Sequence, residues 1–123
     1  MARTFKGRPL VAGRDSGRAL VKKGGMNPIR ETSGISGRMV CLPVTVGSTT
    51  GGTALQAGFR LGGPAAMLFS RRIDPVAAAG ILLAQVWDNR EVITIDELGD
   101  EFLDYVRDNM TIDVKMDGTV TVR

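Results

Sequence analysis

The sequence predicts an α/β domain with β/β/α layering, in which a parallel central sheet carries an additional antiparallel hairpin layer. Two strand–helix units in the middle of the chain predict parallel strands joined by right-handed crossovers. Hairpin patterns at both ends of the chain predict the antiparallel layer. The length of 123 residues, with 43% apolar and 24% charged residues, is typical of one globular domain with its own core. We therefore expect residues 1–123 to form a single domain.

The N-terminal part is predicted to form two strands, Thr4–Val11 and Gly17–Val21, joined by a polar turn at Ala12–Ser16. The Gly24–Pro28 stretch then interrupts the pattern. A buried strand follows over 38–43, because its residues form a continuous apolar run.

Two helices are predicted in the middle of the chain. The first covers about 50–61 and ends before the turn Gly62-Gly63-Pro64. An apolar strand follows over Ala65–Ser70. The second helix begins at Asp74-Pro75, because Asp is a good N-cap residue and Pro is favoured in the first turn, and it continues through Val76–Ala84.

The C-terminal third is predicted to contain a strand, a helix and a hairpin. Glu91–Ile95 alternates like a strand, and Asp96–Asn109 has the spacing of a helix. That helix would pack one apolar face on the core, formed by Leu98, Phe102, Tyr105 and Val106. Thr111–Met116 and Thr119–Arg123 flank Asp117-Gly118, a sequence that favours a type I′ turn.

The loop Pro43–Thr53, rich in Gly, Ser and Thr, is the strongest candidate for a site. It lies at a predicted strand-to-helix junction, where unpaired backbone N–H groups and the helix dipole favour an anion such as phosphate or carboxylate. The loop carries four hydroxyl side chains, Ser48, Thr49, Thr50 and Thr53. Such hydroxyls can cap the helix, bind a ligand or, if one is deprotonated, act as a base. Helix capping alone is the alternative. The loop is not a Walker loop, since no Lys follows its glycines, and it lacks the dinucleotide fingerprint.

Histidine is absent from the chain, and Cys41 is its single cysteine. A chain without His forms no Ser-His-Asp triad by itself. One Cys and no His cannot build a zinc or iron–sulfur site, so another polypeptide must hold most of any such metal centre. We expect Cys41, within an apolar run, to be a small buried core residue.

The formal charge of +3 is distributed unevenly, with most of the basic excess before residue 40. This basic part could attract an anionic substrate or an acidic partner subunit. Nucleic-acid binding is disfavoured, because only 5% of the residues are aromatic and no binding motif is recognised. No apolar stretch approaches the ~20 residues that span a bilayer, and no signal-peptide core is evident. We expect an intracellular, cytoplasmic protein without membrane contact.

A series of short motifs runs along the chain: Phe5-Lys6-Gly7-Arg8, Gly17-Arg18-Ala19-Leu20-Val21, Gly24-Gly25-Met26-Asn27-Pro28, Ser36-Gly37-Arg38-Met39-Val40 and Gly47-Ser48-Thr49-Thr50-Gly51. Their order resembles the small subunit of aconitase X over essentially the whole chain. Two later stretches also resemble family motifs. Gly63-Pro64-Ala65-Ala66 is similar to the family's Ala-Pro-Ala-Ala, and Ile73–Gly80 is similar to its Asp-Pro-Ile-Val-Ala-Thr-Gly. No single motif is specific, but their order and spacing together are.

The resemblance implies a swivelling β/β/α domain that closes over a larger subunit bearing an iron–sulfur cluster. The family's activities are dehydrations of hydroxy acids such as cis-3-hydroxy-L-proline or mevalonate 5-phosphate. Ser48 matches the position proposed for the base that removes a proton next to the substrate carboxylate. The accompanying candidates for binding substrate are Gly47, Thr49, Thr50, Gly51, Gly25 and Asn27.

One departure from the family pattern concerns the loop after Gly24-Gly25. Members usually carry Gly-Gly-Val-Asp-Pro and a longer loop with further Asp and His, whereas Asn27 replaces the Asp here and the loop is short. Arg30 and Arg38 could bind an anionic group instead. The alternative function is therefore a non-catalytic anion-binding or regulatory module on the same fold.

Overall fold

The structure is a computed structural model that describes residues 2–22, 37–43, 65–72 and 92–123. Within these ranges it contains eight strands and one short helix. They are β1 (Arg3–Lys6), β2 (Arg8–Val11), β3 (Asp15–Val21), β4 (Met39–Leu42), β5 (Ala66–Phe69), β6 (Ile93–Asp96), α1 (Asp100–Tyr105), β7 (Thr111–Val114) and β8 (Thr119–Val122).

All eight strands belong to one mixed sheet in the order β1-β8-β7-β3-β4-β5-β6-β2. Strands β3, β4, β5 and β6 run parallel, as the two predicted strand–helix units require. Their register places Met39 opposite Ala66, and Ala66 opposite Ile93. The prediction of a parallel central sheet is thus confirmed for the described strands.

The sheet nearly closes on itself through Gly7. β1 and β2 stand at opposite ends of the strand order, although Gly7 alone separates them in sequence. The Gly7 N–H donates to the carbonyl of Gly118 at 3.1 Å, and Gly118 has φ +89°. A Cβ on Gly118 would lie 2.5 Å from Gly7 O, and one on Gly7 would lie 2.5 Å from Asp96 O. Only glycines fit this close backbone contact.

The predicted N-terminal hairpin is wrong. Thr4–Val11 is two strands rather than one, and neither pairs with β3: β1 pairs with β8, and β2 pairs with β6. The physical reason is that Gly7 divides the segment, and each half completes a different edge of the sheet. β3 instead pairs with β7 through Asp15–Arg18 and with β4 through Ala19–Val21. β3 thus belongs to both parts of the sheet, because its first half pairs with antiparallel β7 and its second half pairs with parallel β4.

The hydrophobic core joins the two parts of the sheet. It contains alternate residues of the parallel strands together with inward-facing residues of β1, β7, β8 and α1, among them Phe5, Met39, Cys41, Leu68, Ile95, Phe102, Ile112 and Val120. Cys41 is fully buried, as predicted. The intervening residues of β4 and β5 are also fully buried; they are Val40, Leu42, Met67 and Phe69. Burial on both faces is typical of parallel strands in α/β proteins.

The helix predicted over Asp96–Asn109 is reduced to α1. Asp96 ends β6, and the chain turns through Glu97 and Gly99, whose φ values are +57° and +97°. After α1 the backbone is extended again at Val106. The predicted apolar face still packs inward, because Leu98, Phe102 and Val106 are buried and Tyr105 is half-buried against the core. The core positions are therefore confirmed, although most of the helix is not formed.

The C-terminal hairpin is confirmed, but its turn differs from the type I′ prediction. The closing pair is Lys115 and Thr119, with Lys115 N–H donating to Thr119 O at 2.9 Å. Gly118 N–H donates to Lys115 O at 3.1 Å, and Gly118 has positive φ whereas Asp117 does not. A type I′ turn needs positive φ at both central residues, so the loop is the three-residue kind that ends in a glycine bulge.

Several predicted elements lie outside the described residues. They are the helix at about 50–61, the Gly62-Gly63-Pro64 turn, the helix from Asp74-Pro75 and the Gly24–Pro28 break. In the part of the chain that the structure describes, no helix has the length and apolar character needed to cross a membrane.

Candidate functional site

The residues predicted to form the site lie outside the described part of the chain. This applies to Ser48 and to its proposed neighbours Gly47, Thr49, Thr50, Gly51, Gly25 and Asn27. The structure does place the strand that leads into their loop. β4 ends at Leu42, and Pro43 is the last described residue before it.

The loop Pro43–Thr53 leaves the sheet at the edge where β4, β5 and β6 all end. Because these strands are parallel, their carboxyl ends meet at one edge, which is where ligands bind in open α/β sheets. The Ser70 N–H donates to Leu42 O at 3.0 Å, so the end of β5 lies directly beside the start of the loop. We call this edge, formed by Leu42–Pro43, Phe69–Arg72 and Asp96–Gly99, the carboxyl edge.

An ion pair with a buried carboxylate and a partly exposed guanidinium lies at the carboxyl edge. Asp96, the last residue of β6, is fully buried and accepts two hydrogen bonds from Arg8 on β2. Arg8 Nε lies 2.9 Å from Asp96 Oδ1, and Arg8 Nη2 lies 2.7 Å from Asp96 Oδ2. The hydrogen bond to Asp96 raises the pKa of the Arg8 guanidinium above its ordinary value. This bidentate contact is the strong form of an Arg–carboxylate interaction.

Ser70 is buried at the same edge, with 4% of its surface exposed. Its Oγ makes no hydrogen bond within the part of the chain that the structure describes. Its backbone is fully used, since the N–H bonds Leu42 and the carbonyl accepts from Gly99 N at 2.8 Å. A buried hydroxyl without a partner is unusual in a folded protein and calls for an explanation.

The segment after β6 is fixed to the end of β5 by backbone hydrogen bonds. Glu97 N–H donates to Arg71 O at 3.1 Å, and Leu98 N–H donates to Phe69 O at 3.1 Å. The exposed Arg71 also lies near Asp100, with Nε and Oδ1 separated by 3.7 Å. The carboxyl edge therefore carries arginines and carboxylates side by side.

Arg38, expected as a possible anion-binding residue, lies at the opposite edge of the sheet. It precedes β4, and its Nη2 donates to Ala19 O at 2.6 Å and to Asn109 Oδ1 at 3.1 Å. These contacts hold β3, β4 and the turn before β7 together. β4 separates Arg38 from the loop at Pro43 by four residues, roughly 13 Å of strand.

The described residues do not fit an iron–sulfur cluster. Burial raises the pKa of the Cys41 thiol, whereas a cluster ligand must be a thiolate. Among residues 2–22, 37–43, 65–72 and 92–123, no three His, Cys, Asp or Glu side chains are grouped as metal ligands.

Sequence reasoning missed the residues that the structure brings together at the carboxyl edge. Arg8 and Asp96 are 88 positions apart, so no local pattern predicts their contact. The available signal was a charged residue, Asp96, at the end of the apolar alternation that begins at Ile93. Ser70 ends its apolar strand in the same way.

Comparison with known proteins gives a family and two similar folds. A family model for the aconitase X swivel domain matches residues 4–122. The crystal structure of Thermococcus kodakaraensis aconitase X, in its holo-form, is similar with a TM-score of 0.73 and 21% identity, over 98% of each chain. The solution NMR structure of a UPF0107 protein is similar with a TM-score of 0.67 and 19% identity, over 98% of this chain and 99% of that one. No match was found among curated protein sequences.

Proposed function

Because the chain belongs to the aconitase X swivel-domain family, whose model matches residues 4–122, we propose that it is the small subunit of a heteromeric dehydratase. The match over nearly the whole chain is the observation that carries the proposal. The enzyme would be a cytoplasmic hydro-lyase that removes water from a small hydroxy acid, such as cis-3-hydroxy-L-proline or mevalonate 5-phosphate. The two predicted helices would complete the third layer of the swivelling domain.

A larger subunit is the proposed partner. The similar chain in the Thermococcus structure has about the same length as this one, because the match covers 98% of each. The described residues offer no ligands for an iron–sulfur cluster, so we assign the cluster to the larger subunit.

Ser48 is the proposed base in this chain. A serine hydroxyl is a poor base at neutral pH, so it acts only where its deprotonated form is stabilised. Backbone N–H groups at a strand-to-helix junction supply such stabilisation, and they can bind an oxyanion in the same way. The position of Pro43 at the carboxyl edge supports this assignment, because ligands bind at such edges in α/β sheets.

The remaining candidates would bind the substrate rather than react with it. Gly47, Thr49, Thr50 and Gly51 belong to the same loop as Ser48 and would contact the substrate carboxylate. Gly25 and Asn27 would contact it from the preceding Gly24–Pro28 stretch. Amide and hydroxyl donors stabilise a carboxylate without competing for the proton that Ser48 removes.

The test is to co-express the chain with the aconitase X-type large subunit of the same genome and to purify the complex anaerobically. Dehydration of both hydroxy acids is then measured for the wild type, Ser48→Ala and Thr53→Ala. We expect Ser48→Ala to lose at least about 100-fold in kcat with assembly intact, which is the usual scale for removal of a general base. Thr53→Ala removes a hydroxyl of the same loop that is not among the proposed base and substrate-binding residues, so this control should retain turnover.

Two outcomes would contradict the proposal. Full turnover by Ser48→Ala would remove serine as the base while leaving the dehydratase assignment in place. Absence of any complex, together with anion binding by this chain alone, would favour the alternative of a non-catalytic anion-binding or regulatory module.

A further inference from the structure

The two hydrogen bonds to Asp96 fix the orientation of the Arg8 guanidinium, which suits Arg8 to bind a ligand. We propose that Arg8, fixed by the buried Asp96, binds an anionic group of the substrate at the carboxyl edge. This inference rests on the proposed function, because it adds a residue to the same substrate site. The ligand chemistry is an oxyanion, either the phosphate of a phosphorylated substrate or the carboxylate that both substrates share.

Arg8 keeps donors available while its orientation is fixed. A guanidinium has five N–H donors, and Asp96 takes one from Nε and one from Nη2. The Arg8 side chain is 43% exposed, whereas the Asp96 side chain is completely buried. The remaining donors have no hydrogen-bond acceptor among the described residues. The guanidinium is therefore held on one side and accessible on the other.

Burial of Asp96 is difficult to explain by stability alone. Removing a carboxylate from water is unfavourable, and a buried ion pair is often no more stabilising than apolar packing of the same volume. β2 is already joined to β6 by backbone pairing at Arg8–Asp96 and Pro9–Ile95. The side-chain pair adds a fixed direction for the guanidinium, which is what recognition of an oxyanion requires.

The pair lies on the same side of the sheet as the residue that ends β4. Leu42 is opposite Phe69, and Arg8 is opposite Asp96. The register of Leu68 with Ile95 brings Phe69 level with Asp96, so these positions form one row across the carboxyl edge. Two strand spacings separate Asp96 from Leu42, where the loop containing Ser48 begins, and a third spacing separates Arg8 on β2, giving about 14 Å in all. A small hydroxy acid and the side chains around it span such a distance.

The surrounding charges allow an anion to approach. Glu97 Oε2 lies 3.8 Å from Arg8 Nε, but its side chain is 53% exposed and its charge is screened by water. Arg71 and Arg72 follow the end of β5 and are exposed, and Arg71 is bonded through its carbonyl to Glu97 N–H. The positive charges of these two arginines offset the negative charges of Glu97 and Asp100 at this edge.

The test compares Arg8→Lys with the wild type in the complex with the large subunit, using a phosphorylated and an unphosphorylated hydroxy acid. Lysine keeps the charge and a contact with Asp96 but loses the fixed fork of donors. We expect KM to rise about 10- to 100-fold with kcat changed less than about threefold, as for loss of one hydrogen bond to a charged group. A KM effect with the phosphorylated substrate alone identifies phosphate as the ligand, and an effect with both identifies the shared carboxylate.

Arg123→Lys is the matched control. Arg123 Nη2 lies 2.9 Å from Asp113 Oδ2 in an exposed pair between the antiparallel strands β7 and β8. This variant should leave KM unchanged. The inference is overturned if Arg8→Lys leaves KM within about twofold of the wild type. It is also overturned if Arg8→Lys only lowers the unfolding midpoint or only weakens binding of the large subunit, since the pair would then be a structural tie or a protein contact.

A second measurement separates failure of this inference from failure of the proposed function. If the wild-type complex turns over neither hydroxy acid, the full chain is titrated with inorganic phosphate while the Arg8 Nε–H resonance is followed by NMR. A saturable shift in the wild type that disappears in Arg8→Lys would uphold an anion site at Arg8. A wild-type resonance that does not respond to phosphate would overturn it.

Discussion

At the scale of single residues, Asp117 and Ser70 differ from ordinary surface polar groups because of their immediate surroundings. Asp117 accepts a hydrogen bond from Thr119 N–H at 3.0 Å within the β7–β8 turn. Ser70 is buried, and its Oγ has no hydrogen-bond partner among the described residues. The charged form of Asp117 contributes to stability, whereas the buried Ser70 hydroxyl has no hydrogen bond among the described residues to offset its loss of hydration. Each leads to a measurable prediction.

The pKa of Asp117 should make the protein sensitive to acid. Hydrogen bonds from Thr119, with a smaller effect from Lys6, lower this pKa from its ordinary value of 3.8 to about 2. A carboxylate with a depressed folded pKa contributes stability above its unfolded pKa, and that contribution is lost as the pH falls from about 4 to about 2. Direct titration of the Asp117 carboxyl by NMR measures the shift.

The variant Asp117→Asn provides the control, because it keeps an acceptor for Thr119 N–H and cannot titrate. It should be less stable than the wild type at pH 6 and equally stable near pH 2. A midpoint for Asp117 near 3.8 would show that the turn does not favour its charged form.

Removal of the Ser70 hydroxyl should not destabilise the protein. Ser70→Ala deletes a buried polar atom without a partner, so we expect the free energy of unfolding to stay the same or to rise by about 1 kcal/mol. Thr94→Val is a suitable comparison, because buried Thr94 donates its hydroxyl to Val92 O at 2.9 Å. That change should lower the free energy of unfolding by about 1 kcal/mol. A loss in Ser70→Ala as large as in Thr94→Val would reveal a bonded Ser70 hydroxyl.

At the scale of secondary-structure elements, the turns carry the strongest sequence requirements. The β7–β8 turn ends at Gly118, whose backbone also meets the link between β1 and β2. Asp117-Gly118 identified the hairpin from sequence, because such a pair is typical of tight turns. The type of turn was not identifiable, since it depends on which strand residues close the loop.

Gly118→Ala should destabilise the protein by about 1–3 kcal/mol or more, because φ is +89° and the added Cβ would lie 2.5 Å from Gly7 O. Gly37→Ala is the matched control: its φ is +70°, but no atom of the described residues lies within 4 Å of the added Cβ. It should show only the smaller loss from positive φ, about 1 kcal/mol. Chemical denaturation of both variants measures the difference. Equal losses of stability in the two variants would mean that the Gly7–Gly118 contact shifts to accommodate the added Cβ at no measurable cost in free energy.

At the scale of the whole molecule, near-closure of the sheet depends on the first eleven residues. β1 and β2 complete the two ends of the strand order. Phe5 is the buried residue of β1, and its ring meets that of Phe102 edge-on, with centroids 5.4 Å apart. Phe102 belongs to α1 and is fully buried. The aromatic contact thus joins the N-terminal segment to the helix beside the core.

Phe5→Ala should lower the free energy of unfolding by about 3–5 kcal/mol, the usual loss when a buried Phe is truncated. In a double-mutant cycle with Phe102→Ala, we expect a coupling of about 0.5–1.5 kcal/mol. Phe5→Leu gives a milder variant if the alanine form fails to fold. Additive losses in the cycle would show that the two rings do not stabilise each other.

Much of the fold was predictable because it is encoded locally. Continuous apolar runs located β4 and β5, and alternation located β6, β7 and β8. The apolar face around Phe102 was predicted correctly as core, although only Asp100–Tyr105 is helical. Helical spacing indicates which side chains face inward, whereas positive φ at Glu97 and Gly99 ends the helical geometry that the spacing suggests.

The sequence by itself determined the family, the parallel strands and the buried apolar runs, while the Ser48 loop stays a prediction. Tertiary structure alone decided that Thr4–Val11 divides at Gly7 to complete both ends of the sheet, and that Arg8 meets the buried Asp96. The reason is that hydrophobic periodicity and turn chemistry act between near neighbours in the chain. Strand pairing and ion pairing depend on which free edges and charges the folded sheet brings together, here across 88 positions.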